Sequence, residues 1–315
     1  MKKILSVILA FAIVLAFSSC SKGEENKTTM NIGVLKGPTG LGTVQMMEDD
    51  ANGEKYDFTV AGAADELTGR LISGDLDMAM LPTNAISALY NKTGGNIVCL
   101  GVNTLGVLYI LENGNSINSV SELEGKTILA SGKGSTAEYV LEAILEKNSV
   151  NAEIFWATEH SEAVTLAATG KYDIVMLPEP FVTSLSSKMP EFRVALDLAE
   201  EWEKVYGGVS LTMGGVAVRK DFLEANPKAI KTFSEDYGKS IEYVNSDPAS
   251  AAKLAEKYEI IAAAVAEKAI PKCHIVWING NECKDMLEGF LSVLLSEDPS
   301  LIGGKLPEDD FYAKQ

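Results

Sequence analysis

The sequence predicts an α/β protein of two doubly wound lobes joined by a two-crossing hinge. Three observations point there. First, Leu71 to Asn84 (Leu-Ile-Ser-Gly-Asp-Leu-Asp-Met-Ala-Met-Leu-Pro-Thr-Asn) is echoed ninety-six residues later by Ala167 to Pro180 (Ala-Ala-Thr-Gly-Lys-Tyr-Asp-Ile-Val-Met-Leu-Pro-Glu-Pro). The copies agree at Gly74/Gly170, Asp77/Asp173, Met80/Met176, Leu81/Leu177 and Pro82/Pro178, and Glu66/Glu162 extend the match; average residue usage predicts about one such agreement. Second, Lys36-Gly-Pro-Thr39 follows the apolar run 32–35, and Lys133-Gly-Ser-Thr136 follows 128–130. Third, the two echoes recur in the same order at nearly the same offset, so the chain says one thing twice.

Each copy of the first echo reads as a helix stopped by glycine, a tight turn, an apolar strand buried on both faces, and a proline placed to open the next helix. Each copy of the second reads as a strand ending in a glycine and hydroxyl loop that starts a helix. Free backbone N–H groups and the positive end of a helix dipole then face whatever lies beyond.

Strands are expected at 31–35, 56–61 and 78–81, with helices at 40–49, 65–73 and 85–90, before apolar runs at 97–102 and 105–111. Glu112-Asn-Gly-Asn-Ser116 breaks the pattern and is taken as the first crossing. The second lobe repeats the alternation: strands 127–130, 154–156 and 174–177, helices 136–147, 159–169 and 181–188. Glycine-rich stretches over 205–209 and 213–218 make the return crossing. Beyond Arg219 come helices at 220–225, 227–244, 248–258 and 261–268, a strand at 274–278, a last helix at 281–295 and an irregular tail. The expected division is therefore a first lobe from 30–111 and 219–315, a second lobe over 117–205, and crossings at 112–116 and 206–218.

The chain opens with Lys2 and Lys3, an apolar stretch over 4–17, and Ser18-Ser19-Cys20. The stretch is short for a membrane-spanning helix and reads as a signal peptide over 1–19. Cys20 after small residues resembles the lipobox of bacterial lipoproteins. That resemblance implies acylation with a lipid such as palmitate, and a polar lipid-anchored tether over 20–29. The formal net charge of −17 argues against nucleic acid and against electrostatic binding to anionic lipid, and serves solubility. Cys99, Cys273 and Cys283 show no zinc-ligand spacing. Cys99 reads as a buried small hydrophobe, and a Cys273–Cys283 disulfide is one possibility.

Gly74-Asp-Leu-Asp-Met-Ala-Met-Leu-Pro82, Gly170-Lys-Tyr-Asp-Ile-Val-Met-Leu-Pro178, Val218-Arg-Lys-Asp-Phe-Leu-Glu-Ala-Asn-Pro227 and the closing Ile302-Gly-Gly-Lys-Leu-Pro-Glu-Asp-Asp-Phe-Tyr312 together resemble the substrate-binding proteins of ABC importers. The type II periplasmic-binding-protein branch for sulfonates, nitrate and pyrimidine precursors of thiamine is the most similar. The resemblance implies a monomeric bilobed receptor, anchored by lipid on the extracytoplasmic face of the cell membrane. It would close on a small molecule and present it to permease subunits powered by an ATPase.

In such an arrangement the ligand meets the loops after the parallel strands. The candidates are Lys36, Gly37, Thr39, Gly40, Thr83, Asn84 and Thr104 from lobe one, beside Asn103, and Gly134, Ser135, Thr136 and Glu179 from lobe two, beside Thr158. Hydroxyls and helix N-termini suit an oxyanion, helped by Lys36 or Lys133; Glu179 would repel one and favours a ring nitrogen or amine. Thr39, Thr83 and Ser135 are equally readable as helix caps. Asp77 and Asp173 read as structural turn residues, the methionines as core, and Trp156 as either a stacking platform or core.

No cofactor and no metal is expected. Two histidines, no Gly-x-Ser-x-Gly elbow and no Walker spacing in Lys36–Gly40 speak against catalysis. A pyrimidine synthase on this kind of scaffold carries a cysteine-rich iron motif that this sequence lacks. An exported enzyme on the same scaffold, or a receptor signalling through a membrane partner, remain the alternatives.

Overall fold

The computed structural model describes residues 29–314. The expected signal peptide, Cys20 and most of the tether lie outside the described residues. In chain order, β1 (Met30–Leu35) leads through short helices α1 (Pro38–Leu41) and α2 (Val44–Asp49) to β2 (Tyr56–Ala61), α3 (Ala64–Ser73), β3 (Met78–Pro82), α4 (Thr83–Thr93) and β4 (Ile97–Leu105). Next come β5 (Leu108–Asn113), β6 (Thr127–Ser131), α5 (Thr136–Lys147), β7 (Glu153–Ala157), α6 (His160–Ala168), β8 (Ile174–Pro178), α7 (Phe181–Lys188), β9 (Phe192–Asp197) and α8 (Leu198–Val205). The chain finishes with β10 (Thr212–Arg219), α9 (Lys220–Ala225), α10 (Pro227–Ser246), α11 (Pro248–Lys257), α12 (Ala263–Ala269), β11 (Ile275–Asn279), α13 (Gly280–Glu297) and short 3₁₀ turns.

The strands form two sheets, ordered β11-β4-β10-β3-β1-β2 and β7-β6-β8-β5-β9. In the first, β1 runs parallel to β2 and β3, and β10 is antiparallel to its neighbours β3 and β4. In the second, β6 is parallel to β7 and β8, and β5 is antiparallel to β8 and β9. The two repeats therefore occupy equivalent places, β3 in one sheet and β8 in the other. Gly74 and Gly170 both take left-handed φ, +87° and +73°, which is why a glycine stands at each helix-to-strand turn.

The crossings sit elsewhere than the sequence suggests. Leu108–Asn113 belongs to the second sheet, so the first crossing is Gly106 and Val107, and 112–116 is the end of that strand and the turn after it, within lobe two. Leu108 to Leu111 are all buried, so this run is a strand between two others, and the polar break after it marks only that strand's end. On the return, β10 is an interior strand of the first sheet, which confines the second crossing to 206–211. Phe192–Asp197 and Leu198–Val205 are a strand and helix that the sequence reading left unassigned. The helix expected over 40–49 is two pieces, α1 and α2.

The lobes share packing on the crossing side. Trp202 of α8 is fully buried, its ring 4.3 Å from Tyr206 and 5.6 Å from Phe290 of α13. Beside it Glu297 accepts from the Tyr206 hydroxyl at 3.0 Å and pairs with Lys147 of α5 at 2.9 Å. Because the indole Nε1 has no hydrogen-bond partner, Trp202 contributes by volume alone. Trp202→Ala is expected to cost about 3–5 kcal/mol in chemical denaturation, and Trp202→Phe about 1.5 kcal/mol or less; equal losses would mean that the indole nitrogen matters.

Candidate functional site between the lobes

The carboxyl ends of the parallel strands of both sheets carry the residues that meet between the lobes. The contact that joins them directly is a hydrogen bond from Thr136 Oγ1, at the start of α5, to Asn84 Oδ1, at the start of α4, at 2.8 Å. Both side chains are buried. Each belongs to a helix whose N-terminus points at this junction, so two sets of free N–H groups and two positive dipole ends converge on it.

The remaining predicted residues separate by what they touch. Thr83 is buried and donates to the Thr212 carbonyl at 2.8 Å, tying α4 to β10. Ser135 caps α5: its Oγ accepts from Ala137 N at 3.2 Å and donates to the Gly132 carbonyl at 2.5 Å. Gly134 is exposed and donates to Glu138 Oε2 at 2.6 Å. Lys36 is exposed and Gly37 buried. Thr39 is half-buried, with a long 3.4 Å contact to the Leu35 carbonyl, and Gly40 is buried against Ile260. Thr104 is buried and donates to Asn103 Oδ1 at 3.2 Å.

Asn103 itself is fully buried, and its side-chain amide lies beside the Tyr237 hydroxyl of α10. A methyl placed on Gly214 would lie 2.6 Å from Asn103 Oδ1 and 3.0 Å from Thr39 Cγ2, so the amide and the Thr39 side chain share one corner under β10.

Glu179 follows β8 and is fully buried. Its backbone N–H donates to the Val107 carbonyl at 2.9 Å, which fixes it to the first crossing. Its carboxylate accepts from Thr183 N at 3.1 Å and Thr183 Oγ1 at 3.0 Å. Burial raises its pKa, against the lowering effect of those bonds and of Lys272.

The sequence reading passed over Ser131 and His160. Ser131 ends β6, is fully buried, and lies 2.7 Å from His160 Nδ1 at the start of α6. The imidazole packs against Phe181 at 4.9 Å, and desolvation lowers its pKa to about 4. A usable signal was present, since Ser131 directly precedes the glycine loop; the pairing with a residue twenty-nine positions on was not visible.

Asp77 takes the structural role expected of it, accepting from Asn31 N at 3.0 Å and Nδ2 at 3.1 Å. Trp156 is half-buried against the core. The three described cysteines are free and buried, and the neighbour of Cys283 is Cys99, whose pKa a thiol–thiol hydrogen bond and burial raise. Cys273 and Cys283 are thus unpaired with each other. Among the described residues no cluster of three or more His, Cys, Asp or Glu could hold a metal ion, and no helix is long and apolar enough to cross a membrane. Two surface cavities, of about 1020 Å³ beside Leu223, Trp277 and Tyr312 and about 650 Å³ beside Glu112, Lys126 and Phe155, lie at the opposite ends of the strands.

This architecture is the periplasmic-binding-protein fold. Solved structures share it at low identity: an ABC transporter from Parabacteroides distasonis (TM-score 0.78, 22% identity, 91% of this chain and 99% of that one). The periplasmic aliphatic sulphonate binding protein SsuA of Escherichia coli also does (TM-score 0.70, 17% identity, 87% and 93%). So does the alkanesulfonate-binding protein SsuA from Xanthomonas axonopodis pv. citri bound to MOPS (TM-score 0.66, 16% identity, 89% and 94%). A family model described as menaquinone biosynthesis matches residues 43–272, and the chain belongs to that family. No curated protein matches.

The low pKa of His160 ties stability to pH. The folded value of about 4 lies below the ordinary 6.5, so the unfolded chain binds the extra proton first. Stability is full above about pH 6.5 and falls on acidification toward pH 4, by about 3 kcal/mol. His160→Gln should flatten that stretch of a denaturation-versus-pH profile; an unchanged slope would place the dependence on other groups.

Proposed function

We propose that the protein captures a small solute between its lobes and does so without turnover, as the extracytoplasmic, lipid-anchored binding component of an importer. The observation that carries the reading is the junction itself. Two lobes present the carboxyl ends of their parallel strands and their helix N-termini to one another, bridged by Asn84–Thr136. A ligand touching both lobes shifts an open–closed population toward closure. The sulfonate-binding neighbours support the scaffold's suitability for this task. Acylation at Cys20, delivery to permease subunits and action as a monomer complete the proposal.

Within that reading, Asn84, Asn103, Thr104, Thr136, Thr39 and Glu179 line the ligand, whereas Ser135 and Thr83 hold helices in place. Lys36, Gly37, Gly40 and Gly134 shape the two loops. The sequence motifs resemble those of the sulfonate, nitrate and thiamine-precursor branch, and the ligand is expected to be of that size.

Catalysis on the same scaffold is the second reading, favoured by the family's biosynthetic description and by the Ser131–His160 contact. Native mass spectrometry of the purified protein separates the two. Capture predicts one small molecule per chain that is recovered unchanged on denaturation, with Asn103→Ala weakening its retention about tenfold, about 1.4 kcal/mol, at a nearly constant melting midpoint. Conversion of that molecule over many turnovers would instead establish an enzyme.

A further inference from the structure

Cys99 and Cys283 are nucleophilic groups that the site between the lobes leaves unused. Cys99 lies on the interior strand β4, and Cys283 in the first turn of α13, which packs on that strand. Both are buried, 1% and 2% exposed, and their thiols hydrogen-bond to one another. Cys99 Sγ also sits 3.7 Å from the Gly101 carbonyl, and Cys283 hydrogen-bonds the Val102 backbone, so both thiols rest on the same stretch of β4. Side chains that meet sulfur to sulfur already point at each other, as a disulfide requires. Cys273, also buried, has Glu179 and Lys272 as its charged neighbours instead.

We propose that Cys99 and Cys283 form a disulfide, made by exchange with an oxidant that carries a disulfide of its own, and that this bridge links β4 to α13. One protein thiolate attacks a sulfur of the oxidant and expels the first thiol. The second protein thiol then gives up its proton, attacks the mixed disulfide and expels the other thiol. The protein loses two protons and two electrons, and the oxidant leaves as two thiols. Because both sulfurs are buried, the exchange takes place before α13 docks on β4 or when it lifts from it. Compartments outside the cytoplasm hold such oxidants.

The bridge joins parts of the chain that are far apart in sequence. It encloses residues 99–283, which contain both crossings and the whole of lobe two. Closing so long a loop lowers the entropy of the unfolded chain more than closing a short one, so oxidation favours the folded state. On the folded side it fastens the last long helix to the strand that also holds the C-terminal segment, where Ala313 N donates to the Cys99 carbonyl at 2.9 Å.

The full chain, refolded in a series of buffers of oxidised and reduced glutathione, alkylated in denaturant and cleaved without reduction, reports the pairing by mass spectrometry. In the oxidising buffers the peptides carrying Cys99 and Cys283 are expected to be joined, with Cys273 alkylated, and the urea midpoint of the joined protein to lie above that of the reduced one. Cys99→Ala should abolish both the link and the difference in midpoint. The proposal is overturned if Cys99 and Cys283 are alkylated or carry glutathione throughout the series, if the bridge found contains Cys273, or if the joined protein resists urea no better than the reduced one. The peptide map of the unmodified protein decides on its own should the variant fold poorly. No ligand enters the measurement, so its result is independent of the capture reading.

Discussion

Backbone pairing at the two crossings is the constraint on which the rest depends. Each time the chain passes between lobes, the next strand enters the new sheet antiparallel: β5 between β8 and β9, β10 between β3 and β4. An interior strand has its polar backbone satisfied on both sides, so neither crossing strand can leave without exposing two ladders. The lobes are thereby tied at both strands while their parallel strands keep a common heading. The Glu179 N–H to Val107 carbonyl bond fastens the end of β8 to the first crossing itself. In the proposed capture, rotation about 106–107 and 206–211 would move the two site faces relative to one another without disturbing either sheet.

The chemistry at those faces is mostly neutral. Hydroxyls and amides of Thr39, Asn84, Asn103, Thr104, Ser131 and Thr136, two helix N-termini, a desolvated imidazole and one buried carboxylate make up the junction. Neutral groups cost less to bury than ions and can be satisfied either by each other or by a guest. The Asn84–Thr136 bond is the first case. On the proposed capture reading, such an arrangement would close weakly when empty, as a population-shift device needs.

Much of this was legible in the residues. The doubled Gly-x-x-Asp-x-x-Met-Leu-Pro segment located β3 and β8 because a left-handed turn, a doubly buried strand and a helix start all leave local marks. The places of Asn84 after β3, Glu179 after β8 and Thr136 after β6 were legible in the same way, while their contact with a ligand belongs to the proposal. The crossings were misplaced because composition reports where a strand ends and not which sheet it joins: Leu105 to Leu111 looks like one apolar run, yet the chain changes lobes within it. Strand β9 was missed because Val194 is exposed on an otherwise buried pattern of Phe192 and Leu196. His160 was overlooked because its partner Ser131 is distant in sequence.

The claim that closure runs across the Asn84–Thr136 bridge is tested most directly by the interlobe distance. Spin labels on Ile72→Cys and Val194→Cys use two surface positions, 47% and 43% exposed, in lobes one and two, while Cys99, Cys273 and Cys283 are buried and resist labelling. Removing the bridging hydroxyl with Thr136→Val should withdraw about 1 kcal/mol, roughly fivefold in the closed-to-open ratio, and shift weight toward longer distances in pulsed electron–electron resonance. An identical distance distribution in the two proteins would show that the bridge does not govern closure.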